Sequence, residues 1–339
     1  MVLIYPVVET KDFIYGHRYG WLDALLQTAE GFMLRPEREL GNAFAARLTL
    51  RQYLARYGVR LDGGVIMMDH GIMSQSFTEV FGLAKTPKNI VRIYKALGVD
   101  YGIAFDIPVR LYLNGVSKDA DPAVRVLTTG GSLRELSRVA AEEGAKRLRE
   151  MAEEAERIGF GGLVPVVQGL YRDDIELSAE ESVRIMAERW ASFTVAIGTG
   201  GRTLTPQDAE LIRTAVDSVE KYAAKYGASV RVHLLGWSSP ETIRDPFLIR
   251  RIYSADSLTP RRRAVEGKAY VMERGRLRLV KAPEAGRYSC NCPACRDPVL
   301  RSYVLDPSGA RRNDVRMAHN VYILQQYLAN AVARASLQD

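Results

Sequence analysis

All three cysteines of this 339-residue chain, Cys290, Cys292 and Cys295, fall within six residues, in the stretch Tyr-Ser-Cys-Asn-Cys-Pro-Ala-Cys-Arg-Asp at 288–297. Cys-x-Cys-x2-Cys sets three soft sulfur ligands on one tight turn, which Pro293 stiffens. His319, in Ala-His-Asn-Val-Tyr, is the candidate fourth ligand. Three thiolates and one imidazole fill a tetrahedral Zn²⁺ shell and leave no open position, the mark of a structural rather than a catalytic metal. Iron–sulfur ligation is a weaker rival, because only three sulfurs are present. Three unconnected thiols and a surface histidine are the bland alternative, and the clustering of every cysteine speaks against it.

A second set of residues closes a series of short apolar runs. Asp69 follows Val-Ile-Met-Met, Asp106 follows Tyr-Gly-Ile-Ala-Phe, Gln168 follows Leu-Val-Pro-Val-Val, and Asp256 follows Ile-Tyr-Ser-Ala. Gly198, heading Gly-Thr-Gly-Gly, and Gly236 end two further runs. Grouped carboxylates can divide labour, one as a nucleophile and a neighbour as a proton shuttle. Asp beside Gln also suits the polar edge of a purine-like heterocycle, and a Mg²⁺ site is the rival use of the same carboxylates. Aspartate after a strand is also common as a turn or cap residue, so the grouping, not any single residue, carries the reading. Beyond Asp256, Arg261, Arg262 and Arg263 place positive charge at the rim of such a site, suited to phosphate, with a solvated loop as the alternative.

These residues need strands to deliver them. From residue 64 the chain alternates apolar runs with capped helical patterns. Thr86-Pro87 starts a helix that stops at Gly98, Ser132 to Glu135 is a capping box opening a long charged helix to about Ile158, and Ser178 to Glu181 reads as a further cap. Thr205-Pro206 and Ser239 to Glu241 are read the same way. At least six such units without a GxGxxG fingerprint predict a (β/α)8 TIM barrel, with a doubly wound open sheet as runner-up. The mouth of a barrel lies at the C-terminal strand ends, where Asp69, Asp106, Gln168, Gly198 and Asp256 are expected. Residues 1–60 are the least legible, with helical spacing at 21–29 and 43–57. The division expected is a divergent N-terminal segment over 1–60, the catalytic barrel over 61–264, and a zinc-binding elaboration over 265–339. That elaboration holds an antiparallel hairpin at 268–280, the cysteine turn, and a terminal helix carrying His319.

Composition narrows the class. Hydrophobic residues make up 47%, enough for a full core, and the formal net charge is +7. A basic surface makes polyanion binding a fair hypothesis. No apolar run is long enough for a membrane span, the N-terminus does not read as a secretory signal, and clustered cysteines argue for a cytoplasmic metal site over a disulfide framework.

In order along the chain, VIMMDHGIMSQSF, TPKNIVRIYKALGVDYGIAFDIP, LVPVVQG, VAIGTGG, YSADSLTPRRRA and CNCPACR with His319-Asn320 resemble the tRNA-guanine transglycosylase superfamily over roughly residues 64–330. The resemblance implies exchange of guanine in a nucleic acid for a 7-deazaguanine base. It implies Asp256 as the nucleophile at C1′ of the sugar and Asp69 as the general acid/base. Asp106 and Gln168 would hold the base, with Gly198 and Thr199 assisting, on a nucleotide flipped out of its stack. His70 stands where the family has serine, either as a further polar contact to the base or as a packed core histidine. The zinc is structural, and a homodimer is expected. The leading expectation is a tRNA-acting pentosyltransferase, and the alternative is a DNA-acting 7-deazaguanine transglycosylase. A non-catalytic nucleic-acid-binding partner subunit and a Mg²⁺-dependent barrel hydrolase are weaker readings.

Overall fold

The computed structural model describes residues 2–70, 76–107, 132–198, 206–236, 245–306 and 313–336. Its strands are β1 (Leu3–Val8), β2 (Gly31–Leu34), β3 (Val65–Met68), β4 (Tyr101–Ile103), β5 (Leu163–Val164), β6 (Val166–Val167), β7 (Ser192–Gly198), β8 (Ser229–Leu235), β9 (Ser254–Ser257), β10 (Lys268–Glu273) and β11 (Arg276–Lys281). The helices through the first two thirds are α1 (Thr10–Arg18), α2 (Leu22–Leu26), α3 (Arg38–Ala45), α4 (Leu50–Ala55), α5 (Ser76–Phe81), α6 (Pro87–Leu97), α7 (Leu133–Ile158), α8 (Arg172–Ala187) and α9 (Pro206–Tyr226). After them come α10 (Pro246–Arg251), α11 (Thr259–Val265), α12 (Pro293–Arg296), α13 (Pro298–Leu305) and α14 (Asn313–Ser336). The class is α/β, a TIM-type barrel of nine strands in the order β5-β4-β3-β2-β1-β9-β8-β7-β6, with a separate β10-β11 hairpin. None of the described helices is long and apolar enough to cross a membrane.

The chain divides into two compact units. One comprises Leu34–Tyr53 and Ile66–Gly236. In it β3, β4 and β5 pair in parallel, as do β6, β7 and β8. Its strands are apolar runs rather than alternations because helices cover them: Ile66, Met67 and Met68 are fully buried. Local chemistry sets the helix ends. The Thr86 hydroxyl accepts from Asn89 N, Pro87 takes the first turn, and Gly98 closes α6 at φ +64°. Ser132 and Glu135 form the reciprocal box that starts α7, and Gly159 ends it at φ +68°. Between these helices the buried Glu154 carboxylate takes Arg157 at 2.6 Å and Arg92 of α6 at 2.6 Å. The helical spacing at 43–57 proves to be two helices, because Arg47 adopts a left-handed φ of +56°. Thr49 and Gln52 then exchange hydrogen bonds that start α4 afresh. Ser178 is not a cap: α8 begins at Arg172, with Asp173 and Asp174 in its first turn, and the buried positions Ile175, Ala179 and Val183 carry the helix through Ser178.

The other unit comprises Met1–Met33, Leu54–Val65 and Trp237–Asp339. Here the opening residues, read from sequence as an illegible segment, form β1, which pairs in parallel with β9 in the register Leu3↔Ser254 and Tyr5↔Asp256. All six β1 residues are buried, so no alternation marks them. The hairpin β10-β11 forms as expected, and Arg274 and Gly275, at φ +49° and +75°, make its two-residue turn. That turn needs both central residues left-handed, which its Gly accepts freely. α14 fastens this unit through polar side chains. Gln325 accepts from Ile4 N and donates to Val2 O, so it caps the β1 backbone. The fully buried Arg316 donates to the carbonyls of Val304, Ala264, Tyr303 and Asp306, gathering the ends of α13 and α11 onto α14. The turn over 239–241 read as a cap, Thr205 and Thr199 lie outside the described residues.

Candidate functional site

In the first of these units the carboxylates come from the ends of β3 and β4. Asp69 leaves β3 with its amide bonded to Leu34 O at 2.9 Å, and its side chain is half-buried. Asp106 lies three residues past β4, with a side-chain exposure of 15%. The two meet electrostatically at Tyr94: burial, and then the charges of Asp69 and Asp106, push its hydroxyl well above the usual range. That hydroxyl donates to Ile103 O at 2.8 Å, and the ring lies where a Cβ on Gly102 would clash. Tyr94 therefore locks the β4 end that presents Asp106. Nothing in the sequence singled it out beyond its place on the apolar face of α6.

Asp106 and Gln168 line one small cavity, together with Phe105, Val166, Ser178 and Ser182. Ser178 reaches it because α8 starts early; its hydroxyl accepts from Gln168 N at 3.3 Å and fixes the strand end. Gly198 borders Gln168, since a Cβ there would stand 3.6 Å from the Gln168 Cβ. His70 is enclosed beside them, stacked on Phe105 with ring centroids 5.1 Å apart and planes within 7°. Arg147 lies over the same Phe105 ring at 4.2 Å. Four of the residues expected to hold a base, Asp106, Gln168, Gly198 and His70, are thus gathered, with a carboxylate, an amide and an imidazole as their polar groups.

In the other unit Asp256 sits within β9, not beyond it, opposite Tyr5, and only 4% of its surface is exposed. The strand runs two residues later than its apolar letters at 252–255 suggest, because Ser254 and Ser257 are also buried in it. The arginine run after it is helical rather than a loop, since Pro260 sits in the first turn of α11. Arg261 is engaged by the buried Asp12 at 2.7 Å and Arg263 by Glu266 at 2.8 Å, leaving Arg262 as the exposed member of the three. Asp12 also accepts from Glu9 N in the cap of α1, so one carboxylate ties the start of α1 to α11. Burial raises its affinity for a proton despite Arg261.

The Cys3His constellation is assembled in this same unit. Cys290, Cys292, Cys295 and His319 place their ligand atoms within 4.8 Å of one another. The Sγ atoms lie 3.6, 3.4 and 3.4 Å from His319 Nδ1. A tetrahedral Zn²⁺ with ordinary bond lengths asks for an N···S edge of about 3.6 Å. The four residues could therefore hold a metal ion, and their donor set fits zinc. Pro293 and Cys292 start the short α12, whose Cys295 amide points at the Cys292 sulfur at 3.2 Å. The other imidazole nitrogen, Nε2, faces Tyr270 O at 2.8 Å, which fixes Nδ1 as the ligating atom. Asn320 completes the frame: its amide accepts from Tyr270 N and donates to Pro260 O and Lys268 O.

No family model and no curated protein matches the chain. Among solved structures it is similar to the YdjI aldolase of Escherichia coli K12, at 11% identity and a TM-score of 0.45, covering 98% of this chain and 93% of that one. It is also similar to a protein of Aquifex aeolicus VF5, at 10% identity and a TM-score of 0.37, covering 76% of this chain and 83% of that one.

Proposed function

We propose that the protein is an enzyme of the guanine-exchanging transglycosylase type, replacing guanine in a nucleic acid, tRNA in the first instance, by a 7-deazaguanine base. The observation that carries this reading is the Cys3His cluster, closed by His319 and built after β9, which holds Asp256, the helix α11 and the β10-β11 hairpin. Asp106 and Gln168, which line one cavity, with Gly198 bordering Gln168, support it from the other unit. Zinc is the ion proposed for the cluster; it would staple the β10-β11 hairpin to α14 and take no part in bond breaking.

In this reading the Asp256 carboxylate attacks C1′ of the flipped nucleotide. The bond from C1′ to the guanine nitrogen breaks, and a covalent glycosyl ester forms on Asp256. Asp69 hands a proton to the departing guanine, then takes one from the incoming base as that base displaces the ester. Asp106 and Gln168 hydrogen-bond the polar edge of the base, so both the leaving and the entering heterocycle are held in one orientation. The exposed Arg262, with the general positive charge of the chain, serves the phosphate backbone.

The test is retention of radiolabelled guanine in macromolecular substrate. Label in tRNA supports the tRNA-acting enzyme, and label only in duplex DNA assigns the same chemistry to DNA. Label in neither, with folded and metal-loaded protein, would rule the exchange reaction out.

A further inference from the structure

His70 is the most unusual polar residue among those described. Its side chain has no solvent exposure, and among the described residues neither Nδ1 nor Nε2 has a hydrogen-bond partner. Leaving buried donors and acceptors unsatisfied is costly, so such a group persists where something else makes use of it. Burial alone does not explain it, since a phenyl ring would fill the same space without the penalty. The ring is also held in place. It lies flat on Phe105 at 5.1 Å, and Arg147 lies over that same phenyl ring at 4.2 Å.

The direction of the ring matters most. Nε2 stands 3.7 Å from Asp106 Oδ1, too far for a hydrogen bond between them and close enough for both to address neighbouring atoms of one ligand. Asp106 also lines the cavity shared with Gln168 and is itself partly exposed. A carboxylate takes N–H groups. A neutral imidazole offers one N–H and one acceptor, depending on tautomer. A 2-amino-6-oxopurine edge reads oxo, N–H, amino, ring nitrogen, so its two donor positions are flanked on each side by an acceptor. Whichever flank meets His70, an imidazole N–H beside Asp106 finds an acceptor.

We infer that His70 is a specificity-determining residue that donates to an acceptor of a 2-amino-6-oxopurine-type base beside the donors taken by Asp106. This rests on the base-exchange reading given above and adds to it the residue that selects the base. The unsatisfied nitrogens of the free protein are then the counterpart of the bound heterocycle, and the Phe105 stack pre-orients them. A base that lacks the matching acceptor leaves His70 as unsatisfied as before and gains nothing from it.

The experiment is calorimetric titration of the zinc-loaded, full-length protein with guanine, 6-thioguanine and 3-deazaguanine, for wild type and His70→Phe, with thermal melting of each. The two analogues weaken or remove the acceptor on one flank or the other. The expected result is that His70→Phe melts at or above the wild-type temperature yet binds guanine about tenfold or more weakly. One analogue penalty present in wild type should also vanish in the variant. His70→Gln, which keeps a donor, should retain part of the preference and serves if the phenyl variant does not fold. Wild-type binding of guanine with His70→Phe within twofold of it, and the analogue penalties unchanged, would overturn the role of His70 and leave the exchange reading standing. Failure of wild type to bind guanine at all would overturn both.

Discussion

His319 presents Nδ1 to the Cys292 sulfur at 3.4 Å and turns Nε2 to the carbonyl of Tyr270 at 2.8 Å. That pairing joins the cysteine turn, the terminal helix α14 and the hairpin strand β10 at one point. The Cys3His cluster is thus a tie between three elements remote in sequence, and its carbonyl partner sets which ring nitrogen can ligate.

Loss of one ligand should release the tie. If the cluster binds zinc as proposed, Cys292→Ala is expected to lower the zinc content, measured by elemental analysis of purified protein, from about one ion per chain towards zero. Its melting temperature should fall on the order of 5–10 °C, since structural zinc binding is folding free energy. Wild-type zinc content and melting in the variant would contradict the assignment of these four ligands.

Arg316 holds a comparable amount of structure without any metal. Its buried guanidinium satisfies carbonyls of Val304, Ala264 and Tyr303, and burial lowers its pKa. Arg316→Met fills similar space but leaves those carbonyls without a donor, and about 3 kcal/mol of stability should be lost in urea titration. Arg316→Lys should restore only part, because an ammonium cannot reproduce the planar fork. A loss below about 1 kcal/mol for Met would show that the carbonyls find other partners.

Burial, with the nearby Asp12 carboxylate adding to it, raises the Asp314 carboxyl to about 6. A carboxyl that binds its proton more tightly when folded contributes stability that is full below its unfolded pKa, near 3.8, and lost as pH rises through about 6. At pH 7.5 the ionised Asp314 therefore burdens the fold. Asp314→Asn should raise stability there by about 1 kcal/mol, after loss of a favourable charge in the first turn of α14, and should flatten the stability profile between pH 4 and 6. Equal gains at pH 4 and pH 7.5 would show that ionisation is not the cause.

Much of this architecture is legible in local chemistry. Thr86, Pro87 and Gly98, or Ser132, Glu135 and Gly159, act on backbone groups within a few residues, so their reading transfers directly to α6 and α7. Where a cap-like pattern misled, at Ser178, the apolar spacing of Ile175, Ala179 and Val183 outweighed it, and the serine serves Gln168 N instead. β1 is illegible for a different reason: buried on both faces, Leu3 to Val8 has no period to read. The Asp12–Arg261 pair spans 249 residues, and nothing near either residue announces the other. The same holds for Tyr94 beneath Asp69 and Asp106. The cysteine cluster could be recognised because ligand type and spacing alone carry its chemistry, whereas its second-sphere partners Tyr270 and Asn320 emerge only from the fold.

The proposed exchange requires Asp256 to form a glycosyl ester, which covalent trapping can detect: incubate the protein with tRNA or DNA and a slowly displacing base analogue, denature, and resolve protein–nucleic-acid adducts on a gel. An adduct is expected with wild type, mapped to Asp256 by peptide mass, and none with Asp256→Asn, which should also exchange no labelled guanine. An adduct of undiminished yield in Asp256→Asn, or exchange at the wild-type rate in that variant, would contradict it.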